Sequence, residues 1–284
     1  MVSPLPLSDS PAQLLREGQE RGLPAWECRR LLEHTSGRTR AWLVAHDQEP
    51  LPAEQAGRTR QALARLQAGE PLAYVVGEQE FHGLTLQVSP AVLVPRPDTE
   101  TLVDWALALL PADAEGSALP VLDLGTGSGA VALALKASRP QRQVCASDLS
   151  PAALAVAQGN GQRLGLTVDW RQGAWWQPWH GERFELVVSN PPYIAADDPH
   201  LAALHHEPRL ALTPEGDGLD GVRALAAGAV SHLTPGGWLL LEHGWDQHEA
   251  VAALLVAHGL EEVQSRQDLG GRWRCTGGRR PARA

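Results

Sequence analysis

Val121-Leu122-Asp123-Leu124-Gly125-Thr126-Gly127-Ser128-Gly129-Ala130-Val131-Ala132-Leu133-Ala134-Leu135 reads as three elements in immediate succession. A short apolar strand comes first, a glycine-rich turn follows, and an Ala/Leu helix closes the stretch. Repeated glycine lets a backbone take positive φ and come close to a ligand. The helix N-terminus places free N–H groups beside the turn.

The pattern repeats downstream. Val144-Cys145-Ala146-Ser147-Asp148 is a second strand, and Asp148 follows Gly129 by 19 residues. An acidic residue near that distance receives ribose hydroxyls in nucleotide-binding α/β folds. Ser150-Pro151 opens another helix. A third strand, Val168 to Gln172, runs into Gly173-Ala174-Trp175-Trp176-Gln177-Pro178-Trp179. One such ring could stack on a flat heterocycle, and core packing explains two of the three equally well. Phe184 to Ser189 is a fourth, buried strand, ended by Asn190-Pro191-Pro192-Tyr193 because neither proline has an N–H for a ladder. Read alone, that ending leaves two readings open, a plain Pro-rich turn and a ligand-binding strand end that carries the Asn190 amide. Gly218 to Leu233 is a helix, Gly236 to Glu242 a fifth strand and Glu249 to His258 a helix. Val263 to Asp268 and Arg272 to Thr276 finish the sheet. Alternating strands and helices imply a doubly wound α/β sheet with its site at the strand ends. Gly125 to Gly129, Asp148, and Asn190 to Tyr193 then share one cleft.

Upstream, residues 10 to about 70 carry apolar clusters at helical period, such as Leu14/Leu15, Leu31/Leu32 and Leu63/Leu66. They are split by Gly22-Leu23-Pro24, Gly37 and Glu49-Pro50-Leu51-Pro52, so a small helical bundle is expected. Its role is open between partner binding and a stabilising appendage. Tyr74 to Val88 alternates around glycine turns and reads as a β-hairpin. Val94-Pro95-Arg96-Pro97-Asp98-Thr99-Glu100 is a rigid entry to the next helix, with Asp98 or Thr99 as cap and Arg96 facing an anion or Glu100. Pro111 to Leu119 is a linker. The expected organisation is 1–73, helical bundle; 74–95, hairpin linker; 96–284, catalytic domain.

Composition narrows the function classes. Of 284 residues, 43% are hydrophobic and 20% charged, as in ordinary globular chains. A formal charge of −9 argues against an extended grip on phosphates. Three scattered cysteines, Cys28, Cys145 and Cys275, make neither a zinc knuckle nor a disulfide framework and fit a reduced, cytoplasmic setting. The first residues lack the basic and apolar regions of a signal peptide. No run approaches the ~18 apolar residues of a membrane span. His205-His206-Glu207 lacks the spacing of a helical zinc motif, and no metal is expected.

The G-x-G-x-G turn plus a ribose acid suits nicotinamide, flavin and S-adenosylmethionine alike. Asn190-Pro191-Pro192-Tyr193 separates them. Methyl transfer from a sulfonium to a planar nitrogen needs acceptors for that nitrogen's N–H groups, because its lone pair is delocalised. The Asn190 side-chain oxygen and the Pro191 carbonyl can both accept. Proline stiffens the carbonyl, and Tyr193 can pack on the planar group. The remaining demands are positioning and electrostatics.

These residues resemble the protein-(glutamine-N5) methyltransferases that modify peptide chain release factors, the PrmC/HemK family. Asp123 to Gly129 is similar to the family's methyl-donor loop, Asp148 to its ribose acid, Trp175 to its tryptophan near the adenine, and Asn190 to Tyr193 to its glutamine-binding turn. Tyr74 to Phe81, Glu207 to Leu212, Gly216 to Leu219 and Asp268 to Arg272 also match, so the resemblance spans nearly the whole chain. Amino-methylating DNA and RNA enzymes share the Asn-Pro-Pro-Tyr turn. Pro95 to Glu100 resembles the release-factor branch and differs from the sister branch that modifies a ribosomal protein. The resemblance implies a Rossmann-like S-adenosylmethionine-dependent methyltransferase sheet with a small N-terminal helical bundle joined by a β-hairpin. It further implies S-adenosyl-L-methionine as donor, with S-adenosyl-L-homocysteine as product. The implied substrates are class I release factors methylated at the glutamine of their Gly-Gly-Gln loop, held in part by the bundle. Stable binding to nucleic acid or membrane is not expected. Expected donor-binding residues are Gly125, Thr126, Gly127, Ser128, Gly129, Asp148, Trp175 and Asn190. Asn190, Pro191, Pro192 and Tyr193 hold the substrate, with Asn190 catalytic. Two positions depart from the family. Ala174 replaces an acid that would meet the adenine amino group, and Trp273 stands where a charged residue is usual. Methylation of a ribosomal protein or adenine, and a catalytically idle binding module, are the competing readings. Label on nucleic acid would mark the former; donor binding without turnover would mark the latter.

Overall fold

A computed structural model describes residues 9–110 and 119–282. Most of the linker at Pro111 to Leu119, and the start of the chain, lie outside them. The chain divides into two compact units, one ending at Glu78 and the other beginning at Gln79.

The first unit is helical: α1 Pro11–Glu20, α2 Ala25–Ser36, α3 Arg40–Ala45, α4 Ala53–Gln67 and α5 Leu72–Val76. Ser10 caps α1 by accepting from the Gln13 N–H at 3.3 Å, with Pro11 in the first turn. Gly37 ends α2 in the left-handed conformation. Leu31, Leu63 and Leu66 pack with Val75 and Val76. Leu14, Leu32 and Leu43 pack with Leu51 and Ala56. Tyr74 to Val76, expected to start a strand, are therefore helical, held by that apolar cluster.

The hairpin is β1 Glu78–Phe81 and β2 Leu84–Gln87. His82 and Gly83 turn it with φ of 49° and 75°, the sign a tight hairpin turn demands. After α6, Glu100–Leu109, come β3 Val121–Leu124, α7 Ala130–Ser138, β4 Val144–Asp148, α8 Pro151–Leu164, β5 Asp169–Gln172 and β6 Phe184–Ser189. The chain continues through α9 Arg209–Leu212, α10 Asp220–His232, β7 Leu233–Glu242, α11 His248–Ala257, β8 Glu261–Gln267 and β9 Trp273–Arg279.

These strands form a seven-stranded sheet in the order β5-β4-β3-β6-β7-β9-β8. β9 runs antiparallel to β7 and β8, and the other pairings are parallel. Alternation along the strands sends side chains to two cores. Val121, Ala146, Leu186, Val188 and Leu240 meet α6 and α7 on one face. Leu122, Cys145, Val187, Leu239 and Leu241 meet α10 and α11 on the other. This is the Rossmann-like sheet expected. Its strand order reverses between β3 and β6, where such sheets open a crevice.

Register decides what lines that crevice. Leu124 pairs with Ser147 on one side and Ser189 on the other, and Ser189 pairs with Leu241. The next residue on each strand leaves the same edge. Asp148, Gly125, Asn190 and Glu242 therefore stand side by side, one strand spacing of ~4.8 Å apart.

Candidate active site

A cavity of about 550 Å³ opens at this edge of the second unit. Its near wall is the glycine turn. Gly125 and Thr126 donate their N–H groups to the Ser147 carbonyl at 2.9 and 3.0 Å, tying the turn to β4. Buried Asp123 holds it from beneath, accepting from Thr126 Oγ1 at 2.6 Å and the Ala132 N–H at 3.2 Å. Burial pushes its carboxyl up to about 7, against the lowering effect of the Thr126 hydroxyl. Gly125 and Gly127 have φ of 72° and 56°, and a Cβ on Gly127 would meet nothing within 4 Å.

Asp148 bridges turn and strand. One oxygen accepts from the Gly127 N–H and the other from the Ser150 N–H, both at 2.9 Å. Burial raises its carboxyl above the usual range while these bonds oppose the shift. A carboxylate offers about four acceptor positions, and the Gly127, Ser150 and Leu149 N–H groups leave room for a hydroxyl.

The three tryptophans separate as the packing argument allows. Trp179 is fully buried, edge-on to Phe184, and donates to Ser147 Oγ at 3.0 Å. Trp176 stacks on His232 and donates to the Ala224 carbonyl at 3.1 Å. Trp175 lines the cavity. Its φ is 46°, a strained value for a bulky residue. Added Cβ atoms on Gly125 and Gly221 would lie 3.6 and 3.4 Å from its ring, so those glycines seat it.

Asn190 and Pro192 line the same cavity. Pro191 is buried; a Cβ on Gly221 would lie 3.1 Å from its ring. Tyr193 directs its hydroxyl to Glu242 Oε1 at 3.4 Å, and burial raises its ionisation further than Glu242 does. Its carbonyl accepts from Gln247 Nε2 at 3.0 Å. A Cβ on Gly218 would fall 2.3 Å from that carbonyl oxygen, at a φ of 81°. Only glycine fits there, so the Gly216 to Leu219 segment braces the turn.

The structure brings Gly125, Thr126, Gly127, Ser128, Asp148, Trp175 and Asn190 to one cavity. Gly129 is different: it starts α7 at φ 84°, packed against Leu133, Trp170 and Ala157. Ala174 lines the cavity, and Trp273 stacks on His248. Arg96 lines the cavity too, but pairs with buried Glu207 rather than Glu100; Glu207 also accepts from the Val94 N–H at 3.1 Å. Neither Asp98 nor Thr99 caps α6 with its side chain. Thr99 instead receives the Asn190 amide N–H₂ at 3.3 Å. Asn160 escaped sequence reading: it accepts from the Gln87 N–H at 2.7 Å and donates to the Ser128 carbonyl at 3.0 Å. It joins hairpin and glycine turn from α8, with no local motif to mark it.

Known proteins resemble this chain over most of its length. Residues 12–77 match the family described as PrmC N-terminal domain, and residues 101–217 match the methyltransferase small domain. The chain is similar to the release factor glutamine methyltransferase of Bordetella pertussis, 52% identical over 90% of this chain and 95% of that protein. The protein of that name from Xylella fastidiosa is 50% identical over 96% and 98%. Among solved structures, a T. thermophilus 16S rRNA N2 G1207 methyltransferase aligns with a TM-score of 0.54. At 19% identity, covering 72% of this chain and 49% of that one, it shows the fold alone.

Proposed function

This chain belongs to the release factor glutamine methyltransferase family, and from that premise we infer that it methylates the side-chain amide nitrogen of a release-factor glutamine, with S-adenosyl-L-methionine as donor. The observation that carries the reading is the shared strand edge. Asp148, the glycine turn and Asn190 follow one another along it, and all of them line one cavity.

The residues fit the donor. The glycine turn exposes backbone without Cβ atoms in the way, Asp148 keeps acceptor positions for ribose hydroxyls, and Trp175 offers a flat wall. Ala174 leaves the adenine amino group without the acidic partner usual in this family. When bound, the donor supplies a methyl group already activated by sulfonium charge. The protein's part is then positional. The Asn190 side-chain oxygen and the Pro191 carbonyl accept the two N–H bonds of the glutamine amide, turning its nitrogen toward the donor. Pro191 itself and Pro192 after it keep that carbonyl from swinging. No covalent nucleophile is required.

The substrates are class I release factors, presenting the glutamine of a Gly-Gly-Gln loop. The helical unit, which runs through α5 to about residue 77, receives the folded factor, the β1–β2 hairpin follows it, and the remainder catalyses. A charge of −9 favours a protein substrate over stable binding to nucleic acid. Among the described residues no helix is long and apolar enough to cross a membrane. A translation factor as substrate sets the cytoplasm as the place of work.

Incubation with methyl-labelled donor and a release factor tests the reading. Label is expected on the Gly-Gly-Gln peptide after digestion. Label confined to a ribosomal protein or to nucleic acid, or donor binding without turnover, would overturn it.

A further inference from the structure

Glu242 is a buried carboxyl that the chemistry above leaves unused. It ends β7, beside Asn190 that follows β6, and is 1% exposed. Tyr193 Oη donates to its Oε1 at 3.4 Å, and the Thr99 hydroxyl lies near enough to lower its carboxyl. Its Oε2 is buried without a hydrogen-bond partner. The cation whose field reaches it, Arg274, is held instead by Asp98 and Asp268, each at 3.2 Å. A carboxyl placed so is costly to bury, and a purely structural role would be better served by an ion pair.

We propose that Glu242 and Thr99 are positioning residues, a hydrogen-bond chain that holds the Asn190 carboxamide with its oxygen toward the acceptor. The inference rests on the reading that Asn190 receives the glutamine amide. Its logic is one of hydrogen-bond polarity. A carboxylate only accepts, so the single Thr99 proton goes to Glu242. The Thr99 oxygen is then left to accept, and it takes the Asn190 N–H₂. The carboxamide oxygen is thereby turned away from Thr99 and stays free for the substrate. Were the chain reversed, with Glu242 protonated and donating, Thr99 could donate to the Asn190 oxygen. The amide would then flip and offer the substrate donors where it needs acceptors.

The reversal has a pH window. Burial raises the Glu242 carboxyl to about 7, opposed by its Thr99 bond and the Arg274 charge, while Asp98 raises it further. Tyr193 faces it from the loop after β6, Arg274 and Cys275 from β9, Asp98 from the turn before α6, and His243 follows it on its own strand. The active form is the carboxylate, so turnover should rise with pH through about 7.

The test uses the full chain, labelled donor and a release factor. Thr99→Val removes the hydroxyl at nearly constant shape. It should lower kcat by about tenfold or more, the loss of roughly 1.4 kcal/mol of orientation, with calorimetric affinity for S-adenosyl-L-homocysteine and the melting temperature close to those of the parent chain. Thr99→Ser should restore most of the rate. Glu242→Gln should lower kcat and abolish the acid limb; if that variant does not fold, the Thr99 pair decides alone. Parent-like turnover in Thr99→Val, or equal loss in Val and Ser variants, overturns the proposal while leaving the methylation reading intact. A parent chain that labels no release factor overturns that reading, and the proposal with it.

Discussion

The glycine-turn wall of the cavity, the donor wall on the reading proposed above, is held by atoms close in sequence, and the Asn190 wall, the proposed acceptor wall, by atoms gathered from distant segments. Thr126 bonds Asp123 three residues away, and Gly127 bonds Asp148 across 21. Asn190, by contrast, is bonded by Thr99 across 91 residues, and Tyr193 by Glu242 and Gln247 across 49 and 54. The donor wall is largely backbone, shaped by glycine conformations. The acceptor wall is a side-chain amide, whose two ends differ chemically and must be told which way to face. A backbone N–H points where the chain sends it. A carboxamide needs neighbours, and the fold recruits them from β7, the α6 entry and the α11 cap.

Separating the two walls by mutation gives the largest expected effect. Asn190→Ala removes an acceptor in the reacting geometry. It should cut turnover by on the order of 10²–10³-fold, the scale of a lost transition-state hydrogen-bonding group, while donor affinity measured by calorimetry falls far less. Equal losses in both would erase the division between the walls. Asp148→Ala should do the reverse. Loss of charge-assisted hydrogen bonds of ~1.5–3 kcal/mol raises the donor Kd by about ten- to a hundredfold, and kcat at saturating donor should fall far less.

The smallest effect concerns the support beneath the donor wall. Asp123 is raised from 3.8 to about 7 by burial. A raised folded value means that the unfolded chain gives up this proton first. Native stability from this group is therefore present at low pH and lost as pH rises from about 4 to about 7. Asp123→Asn keeps an oxygen for Thr126 and the Ala132 N–H and removes the titration. Denaturant unfolding at pH 5 and pH 8 should show the variant gaining on the parent chain at the higher pH. A constant difference between the two would place the Asp123 charge outside the stability of the turn.

Legibility follows the same division. Val121 to Leu135, Asp148 and the strand before Asn190 could be read from sequence because each is a contiguous pattern whose period or spacing is itself the signal. Residue chemistry alone left one ring of three and the family resemblance singled out Trp175; the structure adds that Trp176 and Trp179 are committed to His232 and Ser147. Asp98 and Thr99 looked like helix caps because cap chemistry is local. In the fold they are drawn to Arg274 and Asn190 instead.

What the sequence determined by itself is the kind of sheet, the glycine turn, the acid and the amide, since these depend on periodicity, φ preference and residue chemistry within a few positions. What only the tertiary structure decided is the row of Asp148, Gly125, Asn190 and Glu242 at one sheet edge, and the partners that orient the amide. Strand register aligns residues separated by up to 117 positions. A hydrogen bond between side chains from separate elements leaves no period or spacing in the chain that encodes it.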